Sequence, residues 1–334
     1  MTTVLERLNF ALLDSMVKNE DVILLGEDIL DPYGGAFKVT KGCSSKFPER
    51  VFTTPISEAA ITGIANGLAL AGKIPVVEIM FGDFVTLIAD QLINHASKFR
   101  WMYNDQVRVP IVVRTPMGGR RGYGPTHSQS LEKLFLGVPG LTTVAPNAYH
   151  DPAGLLKFAI LEEKDPVLFI EHKLLYTTSL LEANAGELID FEFMDHLGNY
   201  PATTFKFKGV EEHQATIATY GYNFELARKA ALQLAYEQEL FCEIVLVTQL
   251  SPFRIDAISE SVARTRKLVT IEEGSSTMGW GAEIASQVAS KIPISKSIRI
   301  AALDLPIGNS RTLEEQILPS MDEILQRVRA FLVQ

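Results

Sequence analysis

An alternation constrains this chain more than any other feature. Short β-branched apolar runs recur between stretches of helical periodicity. In the first half the runs are Val22–Gly26, Pro75–Met80, Val109–Arg114, Leu141–Ala145 and Val167–Glu171. Helical patterns near Glu58–Ala71, Phe84–Tyr103 and Asp151–Glu162 lie between them. This is the signature of βαβ units and a mostly parallel sheet. The rhythm breaks over Thr177–His213, a mixed segment of weak periodicity that reads as a linker with some local structure. It then resumes with strands expected at Ala215–Thr219, Glu243–Thr248, Lys267–Glu272 and Ile298–Leu303. The helices expected there are Phe224–Gln238, Ile255–Arg264, Ala282–Lys291 and Leu313–Leu332. The reading is two open α/β domains, residues 1–180 and 213–334, joined by a linker at 181–212.

Composition agrees and excludes several function classes. A chain of 334 residues with 47% hydrophobic and 21% charged residues suits two globular domains. The formal net charge of -9, with no Lys/Arg-rich stripe, argues against nucleic acid as a partner. Cys43 and Cys242 stand far apart, so no disulfide framework or CxxC zinc site is written, and a reducing cytosol fits. The N-terminal MTTVLERLNFALLDSMVKNEDV reads as an amphipathic helix rather than a signal peptide. No apolar run reaches membrane-spanning length. Neither a solenoid repeat nor a low-complexity tract occurs.

Three stretches draw chemical interest. The first is TPISEAAITGIANGLALAG, Thr54 to Gly72, with one carboxylate at the front of a small-residue helix. Ser57 is an expected N-cap. Glu58 in the first turn complements the helix dipole, which is a sufficient structural reason for an acid there. Gly63 and Gly67 share a face with Ala59 and Ala71. Each interior glycine costs about 1 kcal/mol of helix propensity, so close packing within the chain or across a subunit boundary is expected to offset them. The second stretch is PVVEIMFGDF, a buried strand that carries Glu78 and runs out into Gly82, Asp83 and Phe84. Ligands of open α/β sheets collect at the carboxyl ends of strands. Phe81 and Phe84 are therefore either an aromatic face for a ligand or simply core. The third is the Gly-rich MGGRRGYGPTHSQS, in which His127 is either structural or catalytic.

Taken in order, these pieces resemble one family. GED at Gly26–Asp28, PYGGAFKVT at Pro32–Thr40, TPISE at Thr54–Glu58, THSQ at Thr126–Gln129 and DPVLFIEHKLLY ending at Tyr176 resemble the beta subunit of the thiamine-diphosphate-dependent 2-oxo acid dehydrogenases. ATIATYGYN at Ala215–Asn223, CEIVLVTQLSPF and KLVTIEEGSSTMGWGAEI extend the likeness over nearly the whole chain. The resemblance implies a transketolase-like pyrimidine-binding domain followed by a transketolase C-terminal-like domain. It implies that Glu58 hydrogen-bonds a ring nitrogen of the cofactor's aminopyrimidine and favours its imino tautomer. It also implies that Phe84 lies against that ring, with Met80 beside it, and that His127 orients the 2-oxo acid or the lipoyl acceptor. Leu161, Glu163 and Asp165 match a monovalent-cation (K+) loop built largely from backbone carbonyls. The face of Gly63 and Gly67 matches one that packs subunits together.

The family's diphosphate-binding motif, Gly-Asp-Gly followed by Asn, is absent here. The resemblance therefore implies that Mg2+ and the diphosphate are held mainly by a partner alpha subunit in an alpha2beta2 heterotetramer. The acyl unit would pass to a lipoyl acyltransferase or another carrier. The chain departs from the family pattern in several places. Met80 stands where relatives usually carry Gln or Asn, and Gly82 where Ala or Thr is common. The linker is atypical, as are GSSTMGWGAEI and LDLPIGNSRTLEEQILP, which lacks the usual Pro-Tyr segment. These changes suit a relative that loads an acyl group in a biosynthetic pathway. A carboligase using the same Glu58 is an alternative, and a silent assembly subunit is a third. No G-x-S-x-G elbow supports a hydrolase. A bacterial cytoplasm is expected in preference to a mitochondrial matrix.

Overall fold

The computed structural model describes residues 2–183 and 186–333. The chain forms two compact units. One comprises the residues up to Gly118 together with Leu134–Leu180, the other Gly119–Lys133 together with Leu181 onward.

In the first unit, strands β1 (Val22–Gly26), β2 (Val51–Thr53), β3 (Ile74–Glu78), β4 (Val112–Met117), β5 (Thr142–Val144) and β6 (Val167–His172) lie in the order β5-β6-β4-β3-β1-β2. Every pairing among them is parallel. β1, β4 and β6 are buried along their whole length, as strands covered on both faces must be. The helices are α1 (Val4–Lys18), α2 (Cys43–Lys46), α3 (Glu58–Leu70), α4 (Ser97–Met102) and α5 (Pro152–Leu161). A reciprocal capping box between Thr3 and Glu6 starts α1, which packs along α5. Asp151 caps α5 by accepting from the amides of Ala153 and Gly154. Because the strands are parallel, their carboxyl ends open on one edge. That edge therefore receives Glu27 after β1, Glu78 at the end of β3 and Gly118 after β4.

In the second unit, β7 (Phe191–His196), β8 (Ala202–Phe207), β9 (Ala215–Tyr220), β10 (Cys242–Val247), the short β11 (Gln249–Ser251), β12 (Lys267–Ser275) and β13 (Lys296–Ala302) follow in sequence. One sheet has the order β13-β12-β9-β10-β8-β7. Its central pairings are parallel, and β8 and β7 add antiparallel at one edge. The helices are α6 (Asn223–Gln238), α7 (Asp256–Thr265), α8 (Trp280–Lys291), α9 (Arg311–Glu315) and α10 (Met321–Val333).

Three segments differ from the sequence expectation. The expected linker at 181–212, of which residues 184 and 185 lie outside the described residues, carries the β7–β8 hairpin. Phe191, Phe205 and Phe207 point into one aromatic cluster, with ring centroids 4.6 Å apart for Phe191–Phe207. Their period of two is visible in FEF and FKF but is short enough to be lost in a mixed segment. The single helix expected over Phe84–Tyr103 is a 3-10 turn (Gly82–Ile88), a π-turn (Gln91–Ala96) and α4. Such irregular turns are frequent at functional sites. The helix expected over Leu313–Leu332 is two helices, because Pro319 cannot continue the first.

Candidate active site

The first unit gathers an acidic and an aromatic group at the carboxyl edge of its sheet. Glu58 opens α3 and is buried. Ser57 occupies the N-cap position, but its side chain makes no capping hydrogen bond. Glu27, directly after β1, is buried, and its Oε1 has no hydrogen-bond partner among the described residues. Burial first, and then the nearby charge of Glu58, raise the Glu27 carboxyl above its ordinary value. Two acids thus share one corner, and Glu27 is pushed toward holding a proton.

The segment after β3 packs against α3. It carries Met80, half-buried, and Phe84, also half-buried. The Phe81 and Phe84 rings meet edge to face at 6.2 Å, and Phe37 meets Phe81 the same way at 5.8 Å. Phe37 in turn stacks on Tyr176 at 5.2 Å. Gly82 is not a casual replacement, since a Cβ there would lie 2.1 Å from Cγ of Met117. Gly118 has φ +94°, and a Cβ there would lie 2.3 Å from Nε2 of His172. Both glycines keep the ends of β3 and β4 close to their neighbours.

Beneath the aromatic row lies a charged network that sequence reasoning did not assemble. Arg114 on β4 donates through Nε and Nη2 to the two carboxylate oxygens of Glu171, at 2.8 and 2.7 Å, and through Nη1 to Glu78 at 2.9 Å. The Tyr176 hydroxyl donates to Glu171 at 2.6 Å. Burial works against the guanidinium charge, but Glu171 and Glu78 outweigh it and Arg114 stays protonated. Glu78 was visible in the sequence as an acid in a buried strand. Its partners come from other strands at no fixed spacing.

The other expected residues fall elsewhere. Leu161 ends α5, and the amides of Glu162 and Glu163 both bond the Phe158 carbonyl. The Asp165 carboxylate accepts from Arg100 at 2.7 Å, so its charge is already matched. Among the described residues, no cluster of three or more His, Cys, Asp or Glu side chains could hold a metal ion. Arg100, Trp101, Gly140 and Asp165 line a cavity of about 740 Å³ that includes neither Glu58 nor Phe84. His127 lies in the second unit, half-buried, with its Nδ1 3.0 Å from the Thr126 hydroxyl. Also in that unit, Glu272 accepts the first amides of α8, from Trp280 at 2.6 Å and Gly281 at 2.8 Å. Burial nevertheless pushes its carboxyl up to about 7.

Comparison with known proteins identifies the family. Residues 3–178 match the transketolase pyrimidine-binding domain and residues 208–324 the transketolase C-terminal domain. The chain is 37% identical over 331 residues to the pyruvate dehydrogenase E1 component subunit beta-1 of Arabidopsis thaliana, covering 97% of this chain and 87% of that one. The chain belongs to the beta-subunit family of 2-oxo acid dehydrogenase first components. It is similarly 34% identical to the family's pyruvate dehydrogenase subunit from Rickettsia bellii, covering 98% of this chain and 97% of that one. It is 36% identical to the beta subunit of the acetoin:2,6-dichlorophenolindophenol oxidoreductase of Bacillus subtilis, covering 96% and 94%. A split-gene transketolase solved as an inactive beta4 tetramer shares the fold, with a TM-score of 0.77 at 22% identity over 100% of this chain and 99% of that one. Family members are oxidoreductase components, and this chain carries the family's two α/β parts. No helix among the described residues is long and apolar enough to cross a membrane.

Proposed function

We propose that the first unit binds the aminopyrimidine half of thiamine diphosphate and that the chain works with a separate alpha subunit on a small 2-oxo acid. The observation that carries this reading is Glu58. It is a buried carboxylate at the start of an otherwise apolar helix, with Glu27 as its acidic neighbour and no ion-pair partner among the described residues. A nitrogen heterocycle carrying an amino group supplies the donors such a corner needs, and the adjoining Phe84 supplies a face for its ring. Thiamine diphosphate, when bound, supplies the electron sink for decarboxylation. Glu58 would hold a proton at a pyrimidine ring nitrogen, Met80 and Phe84 would wall the ring, and His127 would orient the 2-oxo acid. Glu58 and His127 are thus the proposed catalytic residues.

Residues 1–180 are read as the pyrimidine-binding part and 213–334 as the C-terminal part. Mg2+ and the diphosphate fall to the alpha subunit, since this chain has no Gly-Asp-Gly motif. The paired Asp165 leaves backbone carbonyls near Leu161 and Glu163 as the oxygens for a K+ ion. The product acyl unit would pass to a lipoyl acyltransferase or another carrier in a bacterial cytoplasm. A second reading has support from the acetoin relatives, which match as well as the pyruvate ones and point to a 2-hydroxy ketone as substrate. The test is dye reduction by the chain reconstituted with its alpha subunit. Turnover on pyruvate or a branched 2-oxo acid supports the first reading. Turnover on acetoin alone supports the second.

A further inference from the structure

The loop that carries His127 is held by carboxylates that the proposed chemistry does not use. Glu273, buried on β12, accepts from the Gly119 amide at 2.8 Å, from Nε of Arg120 at 3.1 Å and from the Ser130 hydroxyl at 3.3 Å. One side chain therefore ties both ends of the segment 119–130. Glu314, fully buried on α9, takes its middle by accepting the Gly122 amide at 2.8 Å. Arg120 reaches on to the Pro319 carbonyl at 2.6 Å. A Cβ at Gly119 would meet Leu318 Cδ1 at 2.5 Å, so the C-terminal segment lies flush against the loop. The segment in question, LDLPIGNSRTLEEQILP, is the one that departs from the family pattern.

A Gly-rich loop has many conformations, and fixing it in one carries an entropic cost at every residue. Two buried carboxylates spent on loop amides need a reason beyond the stability of their own elements. We infer that Glu273 and Glu314 are positioning residues that preset the 119–130 loop, and with it His127, for the substrate. The inference rests on the proposed role of His127 in a 2-oxo acid enzyme. Neither carboxylate touches the substrate in this account. Each acts through the loop.

The loop carries its own reporter, since Arg120 and Arg121 are trypsin sites. In the isolated chain, Glu314→Ala should speed cleavage within 119–133 by about tenfold, the equivalent of one lost hydrogen bond to a buried group, and Glu273→Ala, which loses three, by at least as much. Glu314→Gln keeps an acceptor for the Gly122 amide and should restore slow cleavage. Glu273→Gln, which keeps an acceptor for Gly119 but loses the charge facing Arg120, should fall between and covers the case in which the alanine variant does not fold. In enzyme reconstituted with the alpha subunit, KM for the 2-oxo acid should rise in the same order, with cofactor affinity unchanged. Unchanged cleavage in the variants overturns the clamp. Faster cleavage with unchanged KM overturns the link to the substrate. A wild-type assembly inactive on every 2-oxo acid overturns the functional reading instead, and the cleavage series still reports on the clamp.

Discussion

At the scale of residues, Glu58 opens α3, and Glu272, on β12, brings its carboxyl to the start of α8. They differ in what surrounds them. The Glu272 side chain caps α8 through two amides and is sealed in, which is a complete structural role. Glu58 has an acid for a neighbour and no such amides among the described residues, which fits the ligand role proposed for it. Replacing Glu58 by Gln keeps size and an acceptor but removes the proton exchange. Turnover of the reconstituted enzyme should fall by roughly 10²–10⁴-fold, with cofactor affinity changed far less. Steady-state kinetics beside calorimetric titration separates the two. For Glu272 the prediction concerns pH. Its folded value of about 7 exceeds the unfolded value near 4.5, so the folded chain holds a proton that the unfolded chain releases between them. Stability should therefore fall as pH rises through that window, by up to about 3 kcal/mol from this group alone. Urea unfolding at pH 5 and pH 8 should show a slope that Glu272→Gln flattens. A slope unchanged by the substitution would remove Glu272 as its source. The sequence flags Glu58 and sets Glu272 at the end of a strand where it could cap the following turn, but which amides fold back onto each carboxylate is visible only in the fold.

At the scale of elements, α3 tests the account outside chemistry. Among the described residues, Gly67 has nothing within 4 Å of where a Cβ would sit, and Gly63 only the Gln91 Cγ at 4.0 Å. Of the two explanations for their helix cost, close packing within the chain is therefore ruled out. Ile64 beside them is 58% exposed. An interface between chains is the explanation left to test for this face. Gly67→Ala should raise the stability of the isolated chain by up to about 1 kcal/mol, since helix propensity is then unopposed. Gly67→Leu should leave that chain folded but weaken assembly with other subunits. Sedimentation velocity reads the second effect, and normal assembly by Gly67→Leu would show that the face is not an interface. The core strands and most helices are legible in the sequence to within a few residues, because long apolar runs and 3.6-residue periods are local signals. The hairpin β7–β8 is not, since its stability comes from Phe191, Phe205 and Phe207 meeting across strands. The run after Phe84 has the pattern of one helix for a similar reason. Periodicity does not register the 3-10 and π turns that carry it past α3.

At the scale of the whole molecule, the chain reads as half of an active site. The proposed pyrimidine corner, with Glu58, Phe84 and Met80, stands at one edge of a parallel sheet, and the chain has no Gly-Asp-Gly motif. The ordered motifs make the family resemblance, and with it that division, legible in the amino-acid sequence, because no one of them suffices but the set in that order is specific. The loop clamp of Glu273 and Glu314 is not legible there, since its partners are more than 140 residues apart. The most direct measurement is a titration of thiamine diphosphate with magnesium into this chain alone, into its alpha subunit alone and into the two together, followed calorimetrically. The account predicts tight, saturable binding only when both chains are present, with turnover lost in Glu58→Ala. Tight binding by this chain alone would contradict it.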